Sequence, residues 1–225
     1  MLPTLLLSAV LAAGAEPTPA RDAFAPLNPI IGKWKGTGRT DGKSDPAFWS
    51  EKLAVEWRFK GNDAWLTLAF TDGKHFTAGT IRRGEKPGEI RVTFTTPDKK
   101  EVTFTGKLSV GKLKEVLLIA DREVGEEVHR FTLTVLHPNR FLYQVATRPK
   151  AATGFTRQFQ VGTTKDGEPF AEVAKGPECI VSGGSGTMAV IHDGKTYYVC
   201  CSGCRDEFKA DPEKYIKLAK QKQKK

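Results

Sequence analysis

From Leu53 to Val161 the chain alternates apolar and polar residues in a succession of short runs. Leu53, Val55, Trp57 and Phe59 share one face of an extended segment, and Leu66, Leu68 and Phe70 repeat the pattern. The series continues with Ile90, Val92 and Phe94, then Val102, Phe104 and Leu108, then Phe131, Leu133 and Val135. Phe141, Tyr143 and Val145, then Phe155, Phe159 and Val161, complete it. A period of two means strands with one buried and one wet face. Asp72-Gly73, Pro87-Gly88, Pro97-Asp98 and Pro138-Asn139 punctuate the runs as turns. Many short strands with no helical pattern between them predict an antiparallel meander, and closure into a barrel removes its edges.

Pro29-Ile30-Ile31-Gly32-Lys33-Trp34 precedes the strands and carries a Gly-x-Trp. With the strand series, this resembles the first-strand signature of the lipocalin-like (calycin) barrels over residues 27–162. The resemblance implies that Trp34 plugs one end of the barrel and that an Arg from the last strand packs over it. Arg157 lies in phase with Phe155, Phe159 and Val161, so it is the residue expected to stack on Trp34. Such a barrel either encloses a small apolar ligand or is filled by side chains. Some lipocalin-like relatives bind haem through a histidine. His129, in phase with Phe131, is the candidate ligand contact here, set against an ordinary hydrogen-bonded histidine near the barrel mouth. His75 and His137 sit near turns and are expected at the surface.

The two ends of the chain add context. Leu5 to Ala13 is apolar and Ala13-Gly14-Ala15 is a small-x-small cleavage site, so residues 1–15 read as a signal peptide and the protein as exported, periplasmic or extracellular. The run is shorter than the roughly 20 residues that cross a bilayer, so no stable membrane insertion is expected after cleavage. Residues 16–26, rich in Ala, Pro and polar residues, read as a disordered leader, residues 163–176 as a linker and residues 218–225 as a basic tail. The net charge of +9 comes without a nucleic-acid motif, and no nucleic-acid partner is expected. The sequence names no protein partner.

All four cysteines fall between Cys179 and Cys204, and the barrel segment has none. They therefore serve the C-terminal region alone, which is too short for a self-sufficient core and needs a metal or disulfides. Thr187–His192 and Lys195–Cys200 flank Asp193-Gly194, the preferred two-residue hairpin turn. Ser202 is a candidate N-cap for a helix through Phe208, which places Cys204 in its first turn. Asp211-Pro212 opens a second helix, with Tyr215, Leu218 and Ala219 on one face. The fold class expected is therefore mainly β: an antiparallel lipocalin-like β-barrel followed by a small cysteine-rich hairpin-plus-helices (ββαα) metal-binding module.

Cys179-Ile-Val-Ser-Gly183, Asp193-Gly-Lys-Thr-Tyr-Tyr-Val-Cys200, Cys204-Arg-Asp-Glu-Phe208 and Asp211-Pro-Glu-Lys-Tyr215 resemble the YHS domain over residues 177–217. They also fit the related TRASH pattern, with 20 residues between the first two cysteines and three between the next pair. The resemblance implies metal handling, with Cys179, Cys200 and Cys204 as ligands. Cys201 departs from that pattern as an added thiol. Cys201, His192, Glu178 and water are all open as a fourth ligand. Thiolates favour Zn or Cu over hard cations. The primary expectation is a non-enzymatic, exported metal-binding protein. The alternatives are a small-ligand carrier whose cysteine module is only a zinc or disulfide staple, and a redox or haem-dependent enzyme using Cys200 and Cys201 or His129.

Overall fold

The computed structural model describes residues 20–41, 46–111, 115–167 and 176–222. The signal-peptide segment and most of the expected linker lie outside them. Ten strands form one closed antiparallel barrel: β1 (Gly32–Thr40), β2 (Phe48–Lys60), β3 (Asp63–Thr71), β4 (Ala78–Arg83), β5 (Ile90–Thr95), β6 (Glu101–Val110), β7 (Val116–Val124), β8 (Glu127–His137), β9 (Arg140–Pro149) and β10 (Thr156–Lys165). Each strand pairs with its sequence neighbour, and β10 closes the ring on β1. This is the closed antiparallel barrel that the alternation predicts.

The alternation sets the interior. Leu53, Val55 and Trp57 of β2 and Ile90, Val92 and Phe94 of β5 are buried, while the residues between them are half-buried or exposed. The lumen is filled largely by aromatic rings. Phe76 stacks on Phe94 with centroids 4.0 Å apart, Phe94 packs on Phe131 at 4.9 Å, and Phe70, Tyr143 and Phe159 join the cluster.

Two expectations at the barrel ends are corrected. Residues 20–26 do not form a disordered leader. Helix α1 (Ala20–Ala23) and a 3-10 helix (Ala25–Ile30) cap the end of the barrel where β1 begins. Phe24, Leu27 and Ile30 recur every third residue, the period of a 3-10 helix, and all three are fully buried. The expected start of the linker is also moved, because β10 runs on to Lys165.

Arg157 does not pack over Trp34. The two lie at opposite ends of β10: Trp34 pairs in register with Lys165, and the Lys165 ammonium lies 6.0 Å from the Trp34 ring. Trp34 does plug its end, with its indole N–H donating to the Ile30 carbonyl at 2.8 Å and its ring set edge-on to Phe141 at 4.7 Å. Arg157 stands near the start of β10 and Lys165 is its last residue, so a strand's length separates the guanidinium from Trp34, and a β-bulge between Arg157 and Phe159 lies at that far end. Arg157 instead pairs with Asp41 at 2.5 Å, and its hydrogen bond lowers the Asp41 pKa against an opposing desolvation. Phe155 lies just before β10, half-buried beneath the guanidinium of Arg130 at 4.1 Å.

The C-terminal module is the ββαα unit expected. Strands β11 (Met188–His192) and β12 (Lys195–Val199) form the hairpin, with Asp193 and Gly194 both at positive φ, 49° and 71°, as its tight turn requires. Helices α2 (Ser202–Ala210) and α3 (Pro212–Lys222) follow, so the first part of the expected basic tail is helical. The module belongs to the same buried core as the barrel.

Candidate metal centre

The four cysteines come from three places in the module. Cys179 lies in a tight loop in which the Gly183 N–H returns to the Cys179 carbonyl at 2.8 Å, with Gly183 at φ +76°. Cys200 leaves the end of β12. Cys204 occupies the first turn of α2. All four are free thiols and all are buried, at 1%, 6%, 5% and 0% exposure for Cys179, Cys200, Cys201 and Cys204. The sulfurs of Cys179, Cys200 and Cys204 lie within 4.8 Å of one another, and those of Cys200 and Cys204 are 3.5 Å apart. That separation is far longer than the roughly 2.05 Å of a disulfide.

Sulfurs this close share protons. Hydrogen bonds from the Cys200 and Cys204 thiols, in that order, hold the Cys179 and Cys201 pKa values well below the ordinary thiol range. The Cys200 and Cys204 pKa values are pushed up, first by the hydrogen bond to Cys179. Full deprotonation would gather negative charge in an apolar interior, a state that a bound cation makes favourable. Polar hydrogens already point at the cluster: the Ser182 N–H donates to Cys179 Sγ at 3.4 Å, and the Ser182 hydroxyl lies 3.3 Å from Cys200 Sγ. Buried thiolates at close quarters, with N–H groups aimed at them, fit a soft metal ion.

The other expected fourth ligands are placed elsewhere. His192 Nε2 faces the carboxylates of Asp193 at 3.6 Å and Glu213 at 3.5 Å, a separate and partly exposed group. Its strand carries it away from the cysteines, because it is the last residue before the hairpin turn. Glu178 is exposed and pairs loosely with Lys222 at 3.8 Å. Cys201, by contrast, stays with the cluster, 4.0 Å from Cys200 Sγ. It also takes the N-cap position of α2 in place of Ser202, whose hydroxyl donates to the Glu56 carboxylate of β2 at 2.9 Å.

Cys201 is the point where the module meets the barrel. Strand β1 pairs with β2 only as far as Val55, so β2 runs on with one edge uncovered. The N-terminus of α2 takes that edge. The Trp57 backbone N–H donates to Cys201 Sγ at 3.4 Å, and Gly203 packs so tightly that an added Cβ would sit 1.8 Å from the Trp57 carbonyl oxygen. The Trp57 indole N–H donates to Asn28 Oδ1 at 3.2 Å, and Asn28 Nδ2 donates to the Ser182 carbonyl at 2.8 Å. Strand, N-terminal cap and cysteine loop are thus tied around one tryptophan. Sequence reading missed this role for Trp57, Asn28 and Gly203, since nothing local marks it.

At the other end of the barrel, His129 Nε2 lies 3.0 Å from Glu127 Oε2 near the rim. The residue sequence reading passed over is Glu51, buried in the lumen. It accepts hydrogen bonds from the Tyr143 hydroxyl and, at 2.8 Å, from the Trp49 indole. Burial raises its pKa more than those two bonds lower it. His75, expected at the surface, is half-buried. Its ring stacks on Phe159 at 3.8 Å, and its Nε2 has no hydrogen-bond partner.

No family model matches the chain, and no curated protein matches it. Among solved structures, it is similar to the S-type phycobiliprotein lyase CPES from Guillardia theta, at 4% identity and a TM-score of 0.41, over 67% of this chain and 94% of that one. It is also similar to a protein of unknown function from the DUF3598 family of Nostoc punctiforme, at 11% identity and a TM-score of 0.37, over 62% and 48% of the two chains. A third likeness is to EF1p2_mFAP2b bound to DFHBI, at 12% identity and a TM-score of 0.27, over 63% and 98%.

Proposed function

We propose that this is a non-enzymatic binding protein whose C-terminal module holds one soft metal ion, Zn²⁺ or Cu(I), through Cys179, Cys200 and Cys204. The observation that carries this reading is the convergence of three buried sulfurs within 4.8 Å from a loop, a strand end and a helix start. The YHS/TRASH-like spacing of the same three cysteines supports it. Thiolates suit soft ions, and a site closed to water suits a structural or storage role rather than hydrolytic chemistry. The ion would fasten the hairpin to α2 and the module to the barrel.

Elemental mass spectrometry on protein purified without chelator tests the reading. About one Zn or Cu per chain is expected, lost in Cys179→Ser and in Cys204→Ser. A chain that takes up neither metal when its thiols are reduced and titrated with Zn²⁺ and Cu(I) would sink the proposal.

A second reading is small-ligand binding in the barrel, with the cysteine module as a staple. It is favoured by the buried Glu51–Tyr143 pair, which places hydrogen-bonding groups inside an otherwise aromatic lumen. Titration with an apolar fluorescent probe, comparing the protein with Glu51→Gln, tests it: saturable binding altered by the substitution is expected, and no binding by either protein would exclude it.

A further inference from the structure

Cys201 is the sulfur that the three-cysteine group leaves over, and its surroundings give it a role. It is 5% exposed, its Sγ lies 4.0 Å from Cys200 Sγ, and it accepts the Trp57 N–H. Adjacent residues of a regular strand point to opposite faces. Here β12 ends at Val199, Cys200 sits in a bend and Cys201 is extended at φ −158° as the N-cap of α2. This irregular knuckle turns both side chains to the same side.

Resting on the soft-metal reading above, we propose that Cys201 is the fourth thiolate, so that Cys179, Cys200, Cys201 and Cys204 enclose the ion and Trp57 of the barrel serves it from outside. Four arguments converge on this. A structural site for Zn²⁺ wants four ligands and no water, and the burial of all four cysteines leaves no solvent face. The rival ligands His192 and Glu178 are held elsewhere. The edges of a tetrahedron of sulfurs about a metal are about 3.8 Å for bonds of about 2.3 Å, and the Cys200–Cys204 and Cys200–Cys201 separations of 3.5 and 4.0 Å bracket that length. Four thiolates also need donors to offset their charge, and the Trp57 N–H is aimed at Cys201 as the Ser182 N–H is at Cys179. Cys201 lies outside the group whose sulfurs are all within 4.8 Å, so at least one of its edges must shorten on loading.

The ligand count can be read directly on the full chain. Reduced protein is loaded with one equivalent of Zn²⁺ for X-ray absorption at the zinc edge, and with ¹¹³Cd²⁺ for cadmium NMR. Four sulfur scatterers and a cadmium resonance in the tetrathiolate range are expected. Cys201→Ser should retain the ion with one sulfur replaced by a lighter atom, and its cadmium resonance should move to the three-sulfur range. Three sulfurs plus an oxygen or nitrogen in the unsubstituted protein would overturn the role of Cys201 while leaving the metal reading intact. Failure to bind either ion would overturn both. Because the unsubstituted protein decides the matter, the result stands even if Cys201→Ser does not fold.

Discussion

The backbone N–H of Trp57 and the sulfur of Cys201 lie 3.4 Å apart, and this contact joins the cysteine module to the barrel. It exists because β1 stops pairing at the Gly32–Val55 step and leaves that edge of β2 without a strand partner at Trp57, while the other edge stays paired with β3. An unpaired buried amide costs about 1–3 kcal/mol, so the cysteine knuckle completes the barrel as much as the barrel supports the knuckle.

Gly203→Ala tests how tight that junction is. A methyl group there would sit 1.8 Å from the Trp57 carbonyl oxygen, and backbone cannot yield as a flexible side chain does. A loss of about 1–3 kcal/mol in denaturant unfolding is expected, together with weaker metal retention. Gly194→Ala perturbs the hairpin turn, far from β2, and serves as a comparison that should spare the barrel.

Removing the metal should be felt in the barrel. For an ion present at about 100 to 1,000 times its dissociation constant, binding to the folded state alone adds about 3–4 kcal/mol. Chelation is therefore expected to lower the melting temperature and to alter the near-ultraviolet dichroism of Trp57, identified by subtracting the spectrum of Trp57→Phe. An unchanged Trp57 signal would show that module and barrel are uncoupled.

His75 predicts acid sensitivity. Burial, with help from the neighbouring Lys74, lowers its pKa from 6.5 to about 4. Below pH 6.5 the unfolded chain takes up a proton that the folded chain refuses. The stability of the neutral form is thus full above that value and lost as pH falls towards 4, in an amount that solvent screening of the half-buried ring reduces. His75→Phe keeps the stack on Phe159 and should flatten the pH dependence of unfolding between pH 7 and 4.

Glu51 acts in the opposite direction. Its pKa is raised, mainly by desolvation, so the folded state holds a proton that the unfolded state releases. Its contribution is full below the unfolded carboxyl value and declines as pH rises through the folded one. Glu51→Gln keeps one oxygen to accept from the Trp49 indole, and its amide N–H can donate to the Tyr143 hydroxyl. Against the opposing rise from His75, urea unfolding of this variant should show stability that rises more steeply from pH 4 to 7 than in the unsubstituted protein. An identical slope in both would mean that Glu51 titrates normally.

How far the chain can be read from its residues alone follows from the range of the interactions. Leu53, Val55 and Trp57 announce a strand because neighbours in sequence must alternate faces, and Asp193-Gly194 announces its turn because few residues accept positive φ. Cys179, Cys200 and Cys204 are legible as a group because a module this small has few ways to arrange them. Arg157 misleads because its phase along the strand is legible but the register that sets Trp34 beside Lys165, at the far end of β10, is not. Phe24, Leu27 and Ile30 escape notice because their period of three is short and interrupted by prolines.

Local periodicity and turn chemistry therefore suffice for the strand series, the ββαα module and the three-cysteine group. The unpaired end of β2, the docking of Gly203 and Cys201 against it, and the link that Asn28 makes from Trp57 to Ser182 arise only when the chain is folded. So does the meeting of Glu51 with Tyr143, two residues far apart in sequence that come together only because β10 closes on β1. Closure and docking depend on which edges remain open after every strand has paired, a property of the whole barrel that no single segment carries.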